Sequence, residues 1–281
     1  MAAAPPYFHA IGPAVPASPV VLSAPHSGRD YSPALLAAAR LPRASLEVLE
    51  DPQVDRLLWR AVADGAAGFV ARVPRAEIDL NRDESDLDPA MVAPPPPNCA
   101  VSQRARGGLG LIPSRIGGAG ALWLRRLPAT EVARRVADIH RPYHAALAVA
   151  LAAARDRFGA AVLLDCHSMP PGSGAGGAAV VIGDRFGASA APAVIEAACA
   201  AVRGAGFSLV RNAPYAGGYI TRCHGRPADG IHALQIEIDR ARYLAPDLRY
   251  PGPGFDTAAR LIAAVAAAVG EAVTPQALAA E

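Results

Sequence analysis

Ala160-Ala161-Val162-Leu163-Leu164-Asp165-Cys166-His167-Ser168 is the stretch that decides the fold class. The apolar run Ala160 to Asp165 reads as a buried strand that ends at Cys166-His167-Ser168, residues that can carry chemistry. The same design stands at Val20-Val21-Leu22-Ser23-Ala24, which stops at Pro25-His26-Ser27-Gly28. Further along, 178–182, 207–210 and 233–238 are short apolar runs, with helical patterns over 187–204 and 256–273. Strands alternating with helices, with few hairpin signals, predict an α/β sandwich.

Asp51-Pro52 predicts a helix start, because Asp is a favoured N-cap and Pro suits the first helical position. Val54, Leu57, Leu58 and Val62 then recur at helical spacing. Residues 130–157 read as one long helix capped by Thr130, and 68–73 and 78–80 read as extended. The segment 86–120 holds four consecutive prolines, Pro94-Pro95-Pro96-Pro97, and reads as a long loop. With no internal repeat and no mid-chain linker, residues 1–281 are expected to form a single domain with this irregular insertion.

Composition narrows the function classes. Hydrophobic residues make up 52% of 281 positions and the formal net charge is +2, which argues against disorder and against nucleic acid as the main partner. All 27 basic residues are arginine, so Schiff-base and P-loop lysine chemistry is absent, while arginine remains well suited to gripping a carboxylate. Cys99, Cys166, Cys199 and Cys223 form no CxxC pair, which speaks against a zinc knuckle and for a reducing compartment. The N-terminus lacks a secretory pattern and the apolar runs are shorter than a bilayer span. The expectation is a cytoplasmic protein with no membrane partner.

Ligands in open α/β sheets usually bind at strand ends. His26 and His167 both follow a strand, and two histidines with acids nearby fit a catalytic zinc site, which takes three protein ligands and leaves a position for water. Asp165 shares a strand face with His167 and can orient its ring or act as a ligand. For the third ligand, Asp51 already serves as the expected helix cap, so Asp55 is preferred and Asp51 is the alternative. Glu237 lies in an apolar strand on one face with Gln235; partial burial there raises a carboxylate's pKa, as a general base and acid near neutrality requires. Asn81 and Arg82 can hold a substrate carboxylate; Arg222 and His224 lie on a glycine-started loop just before the Glu237 strand. Ser27 and Ser168 lack a nucleophile elbow, Cys166 and His167 are adjacent and diverge, and His140 with His144 reads as structural.

Taken together these clusters resemble the N-formylglutamate amidohydrolase family. The matching stretches are SAPHSG (23–28), DPQVDRL (51–57), IDLNR (78–82), RPYH (141–144), LDCHS (164–168), GGYITR (217–222) and LQIEI (234–238) with Asp239-Arg240 behind it. The resemblance implies a three-layer α/β sandwich with a mixed central sheet, phosphorylase/hydrolase-like and similar to zinc carboxypeptidases. It implies one Zn2+ per chain on His26, His167 and an acid of the Asp51–Asp55 segment. Glu237 would be the catalytic carboxylate, with Arg222 or His224 at the oxyanion and Ser27, Asn81 and Arg82 at the substrate. The implied reaction removes the formyl group from N-formyl-L-glutamate, the last step of histidine degradation in some organisms. Two departures, the proline-rich 83–120 and His224 where an aromatic residue is expected, leave open another N-acyl amino acid or peptide as substrate but not the reaction type; a non-catalytic binding protein on the same fold is a separate alternative, and intact His26, His167 and Glu237 count against it.

Overall fold

The computed structural model describes residues 7–95, 99–117 and 119–274. By internal contacts the chain groups into two compact units built from interleaved segments: residues 7–9, 25–51 and 70–146 in one, and 10–24, 52–69 and 147–274 in the other. Seven strands form the main sheet: β1 (Phe8–Ile11), β2 (Val20–Ala24), β3 (Ala67–Ala71), β4 (Ala161–Met169), β5 (Val180–Gly183), β6 (Leu209–Arg211) and β7 (Ile231–Asp239). Their order is β1-β3-β2-β4-β7-β5-β6. β4 runs parallel to β2 and β7, whereas β5 is antiparallel to β7, so the sheet is mixed.

Every residue of β4 and β7 is buried. Successive side chains point to opposite faces of a strand, so both faces of the sheet are covered, which is the three-layer arrangement. Full burial of a Leu, Ile or Val side chain contributes about 1.5–3 kcal/mol, and Leu163, Leu164, Leu234 and Ile236 are completely inaccessible. That apolar lattice is what tolerates Asp165, His167, Gln235 and Glu237 inside the same two strands.

The labelled helices are α1 (Val54–Leu57), α2 (Trp59–Ala63), α3 (Arg141–Phe158), α4 (Pro192–Gly204), α5 (Tyr219–His224) and α6 (Phe255–Val273). α6 packs on α4, α2 and β4, and α5 packs on β7 and β4. No helix of the described residues is long and apolar enough to cross a membrane.

Several expectations need correction. The helix expected from Asp51 begins at Val54, with Gln53 in a left-handed conformation (φ 64) at its N-cap. Asp51 is not its cap; the Asp51 amide instead donates to the His26 carbonyl (2.9 Å). The segment 78–80 is not a strand but part of a series of turns, in which the Glu77 amide donates to Pro74 and that of Arg82 to Asp79. The helix expected over 187–204 starts only at Pro192, because Asp184 draws the preceding residues into a turn through the amides of Gly187 and Ser189. The glycine-started loop after Gly217 is in part a helix, α5.

Thr130 is not a cap either: the helix opens at Ala129 behind Pro128. A π turn over Val136–His140 then joins it to α3. Pro142 has no N–H to donate and would crowd the carbonyl one turn back, and a wider turn just before it relieves that conflict. The segment 86–120 is largely irregular, as expected, but includes a helix over Gln103–Arg106 capped by the Ser102 hydroxyl. Pro96, Pro97 and Asn98 lie outside the described residues.

Candidate metal centre

His26 stands two residues past β2. Its ring is held from both sides: Nε2–H donates to Asp79 Oδ1 (2.8 Å), and Nδ1 lies 3.4 Å from Asp51 Oδ2. Asp79 is fully buried and collects further donors, Arg75 on Oδ2 (2.9 Å) and the Asn81 amide on Oδ1 (2.8 Å). Burial opposes ionisation of this carboxyl, but Arg75, His26 and Arg82 together hold it well below the usual carboxylate range. An ionised Asp79 can only accept, which fixes the proton on His26 Nε2.

The turn that carries Asp79 is pinned from the neighbouring helix. His144 Nε2 donates to the Leu80 carbonyl (2.9 Å) and His140 Nε2 to that of Arg82 (2.8 Å). Gly28 completes the local fit, because a β-carbon there would lie 1.9 Å from the Val73 carbonyl oxygen. Its role is close backbone packing.

On the sheet, Asp165 accepts from Ser23 Oγ (2.7 Å) through Oδ1 and from His167 Nε2 (2.8 Å) through Oδ2. β4 and β7 pair in register, so Glu237 stands beside His167 and Gln235 beside Asp165. Gln235 Nε2 donates to Glu237 Oε1 (2.8 Å), and the Gly218 amide donates to Gln235 Oε1 (3.0 Å). His224, buried on α5, has its pKa pushed down to about 4, mainly by desolvation, with Asp165 opposing and Arg226 assisting. It is neutral at pH 7. Burial and the Asp165 charge push the Cys166 thiol well up, so it is no nucleophile.

One ligand atom each from His26, Asp51 and His167 lies within 4.8 Å of the others, and all three residues are buried. Two imidazoles and a carboxylate make a donor set suited to zinc. In both rings Nε2 is committed to an aspartate, which leaves Nδ1 as the other nitrogen; an imidazole backed by a carboxylate is the usual companion of a bound metal. These residues fit a zinc ion. Asp55 is not in the group. His144, Cys223 and His224 form another such group, although there Nε2 of His144 already serves Leu80.

The remaining expected residues are placed as follows. Ser27 Oγ lies 3.5 Å from the Asp51 carbonyl, and Asn81 is buried beside Asp79. Arg82 donates Nε to the Leu109 carbonyl (2.8 Å) and Nη1 to that of Asn81 (3.1 Å). Arg222 is exposed on α5, its guanidinium 5.2 Å from the Tyr219 ring centre. Asp79, the partner of His26, is a residue that the sequence did not single out.

The chain can now be set beside known proteins. The family model for N-formylglutamate amidohydrolase matches residues 18–244. An N-formylglutamate deformylase of Pseudomonas aeruginosa is 31% identical over 235 residues, covering 80% of this chain and 82% of the relative. One from Pseudomonas putida is 32% identical with the same coverage. Among solved structures, N-formylglutamate amidohydrolase from Ralstonia eutropha JMP134 superposes with a TM-score of 0.88 at 34% identity, covering 95% of this chain and 98% of that one.

Proposed function

Because this chain belongs to the N-formylglutamate amidohydrolase family, we propose that it hydrolyses N-formyl-L-glutamate to formate and L-glutamate. The observation that carries the reading is the buried group of His26, Asp51 and His167, with Glu237 in register beside His167. Asp51 rather than Asp55 is the third ligand in this reading, because it belongs to that group and has no capping task. The proposed ion is zinc, one per chain. When bound, zinc supplies a Lewis acid that acidifies a water and polarises an amide carbonyl.

The chain's own residues do the rest. Glu237 takes a proton from the attacking water and returns it to the departing amine nitrogen, so one carboxylate serves as base and then as acid. The bond from Gln235 holds Oε1 of Glu237 in place. His224, neutral at pH 7, can donate to the developing oxyanion without adding charge. Asp79 and Asp165 keep His26 and His167 in one tautomer and orientation. Ser27 and Asn81 are proposed to line the substrate, and Arg82 to offer its remaining nitrogen, Nη2, to one substrate carboxylate.

The test is formate release from N-formyl-L-glutamate by the purified protein, before and after chelation, with metal content measured on the same sample. Turnover lost on chelation and restored by zinc is the expected result. A zinc-loaded protein that releases no formate would turn the reading to another N-acyl amino acid or peptide. A protein that binds such compounds without any turnover would make it a binding protein on a hydrolase fold.

A further inference from the structure

N-formyl-L-glutamate carries two carboxylates, and a selective site needs a cation for each. The exit of β5 offers one that the sequence did not single out. Arg185 (φ 53) and Phe186 (φ 56) both sit in the left-handed region, where residues with a β-carbon are strained. The strain is held by Asp184, whose buried carboxylate accepts from Arg211 Nη2 (2.7 Å), Asn212 Nδ2 (3.0 Å) and the Gly187 amide (2.7 Å). A strained conformation that its surroundings over-determine is a mark of a functional position.

That conformation aims the Arg185 side chain over Gly217. A β-carbon at Gly217 (φ 109) would lie 3.2 Å from Arg185 Cγ and 2.6 Å from Thr221 Oγ1, so only glycine leaves room. The Arg185 amide donates to the Ala216 carbonyl (2.8 Å), and the Arg222 amide to that of Gly218 (3.2 Å). Both arginines are therefore anchored on one turn, and that turn is bonded to Gln235 and through it to Glu237. Burial, and after it the like charge of Arg222 nearby, lowers the Arg185 pKa. Among the described residues, no carboxylate pairs with the Arg185 guanidinium and no acceptor receives a hydrogen bond from it; the adjacent Asp184 is taken by Arg211. Two neighbouring guanidinium groups, one of them without an anion, on a turn tied to the catalytic carboxylate describe a receptor for a carboxylate.

We propose that Arg185 and Arg222 form a two-arginine clamp for one of the substrate's carboxylates, which makes the site selective for acidic N-acyl amino acids. This rests on the amidohydrolase reading above and adds to it the residues that choose the substrate. Arg185 is a binding residue and takes no part in proton transfer.

The test compares wild type, Arg185→Gln and Arg185→Lys on N-formyl-L-glutamate and on its two monoamides, N-formyl-L-glutamine and the α-amide. Arg185→Gln is expected to raise KM for the diacid by about tenfold or more, to change kcat much less, and to remove most of the preference over one of the monoamides, as loss of a charge-assisted pair to a substrate group should. Arg185→Lys should recover part of that preference. Preference over both monoamides unchanged in Arg185→Gln would overturn the clamp. Calorimetry with glutarate, a diacid without a scissile bond, separates the clamp from the parent reading. A wild type that releases no formate yet binds glutarate about tenfold or more tighter than Arg185→Gln sinks the activity and keeps the clamp. Equal affinities, or no binding to wild type, overturn the clamp whatever the turnover.

Discussion

His167 and His26 each donate a hydrogen bond to a buried aspartate at 2.8 Å, but the two aspartates are put in place by different means. Asp165 and His167 lie two residues apart on β4, so the strand's own period turns both side chains to one face. The neighbours β2 and β7 then fix the strand by register. Asp79 is separated from His26 by 53 positions. It sits in a turn with no ladder to hold it, and its place is fixed one bond at a time by Arg75, the Asn81 amide, and the histidines that grip Leu80 and Arg82. A strand supplies geometry by repetition, whereas a turn must assemble it from specific side chains. The second kind should be the more fragile.

Removing the rings themselves should erase the difference. His26→Ala and His167→Ala are each expected to abolish both metal retention and formate release, and Asp51→Ala to follow them, while Asp55→Ala keeps its ion. Metal per chain after dialysis reads this directly; retention by Asp51→Ala with loss in Asp55→Ala would reverse the choice of ligand.

Removing the backing carboxylates should expose it. Asp79→Asn and Asp165→Asn are both expected to cost about 10–100-fold in metal affinity. Asp79→Asn should also destabilise the fold by about 3–5 kcal/mol, because it breaks the buried ion pair with Arg75, whose side chain is only 16% exposed. Asp165→Asn can still accept from Ser23, and should melt closer to wild type. Equal melting shifts would mean that the turn is no more fragile than the strand.

His224 gives a pH signature from the sheet side. Its folded pKa, about 4, lies below the ordinary histidine value of 6.5, so between those values the unfolded chain binds a proton that the folded chain does not. Stability should fall as pH drops from about 6.5 toward 4, by roughly 1.4 kcal/mol per unit at most. Denaturant titrations of metal-free His224→Asn should show a flatter slope in that window; an unchanged slope would assign it to other groups. The smallest effect belongs to the pins of the turn: His144→Phe or His140→Phe should each cost about 1 kcal/mol, with metal affinity following only weakly.

The same contrast governs what could be read from the sequence. The strands bearing Asp165, His167, Gln235 and Glu237 are continuous apolar runs with polar interruptions, and local pattern was enough to find them, although β4 runs on to Met169, past Asp165 where the apolar run ends, and so takes in His167. β2 coincides with its expected bounds, and β7 is longer than expected because Ile231 and His232 extend its pairing with β4. The bond from Asp79 to His26 was not legible, since nothing local in Ile78-Asp79-Leu80 says which distant ring it meets, and its apolar flanks imitate a strand. Asp51 was misread as a cap because Asp-Pro is a sound local signal, overridden here by the left-handed Gln53. The π turn before Pro142 and the helix after Gly218 depend on packing and escaped for that reason. Arg185 was invisible because its significance lies in its backbone conformation and in Arg222 beside it.

The most direct test of the central claim is diffraction from zinc-loaded crystals at wavelengths on both sides of the zinc absorption edge. The account predicts one strong anomalous peak about 2 Å from Nδ1 of His26, Nδ1 of His167 and the carboxylate of Asp51, with Nε2 of each ring still bonded to Asp79 or Asp165. A peak on His144, Cys223 and His224 instead, or full formate release by crystals' parent protein stripped of all metal, would contradict it.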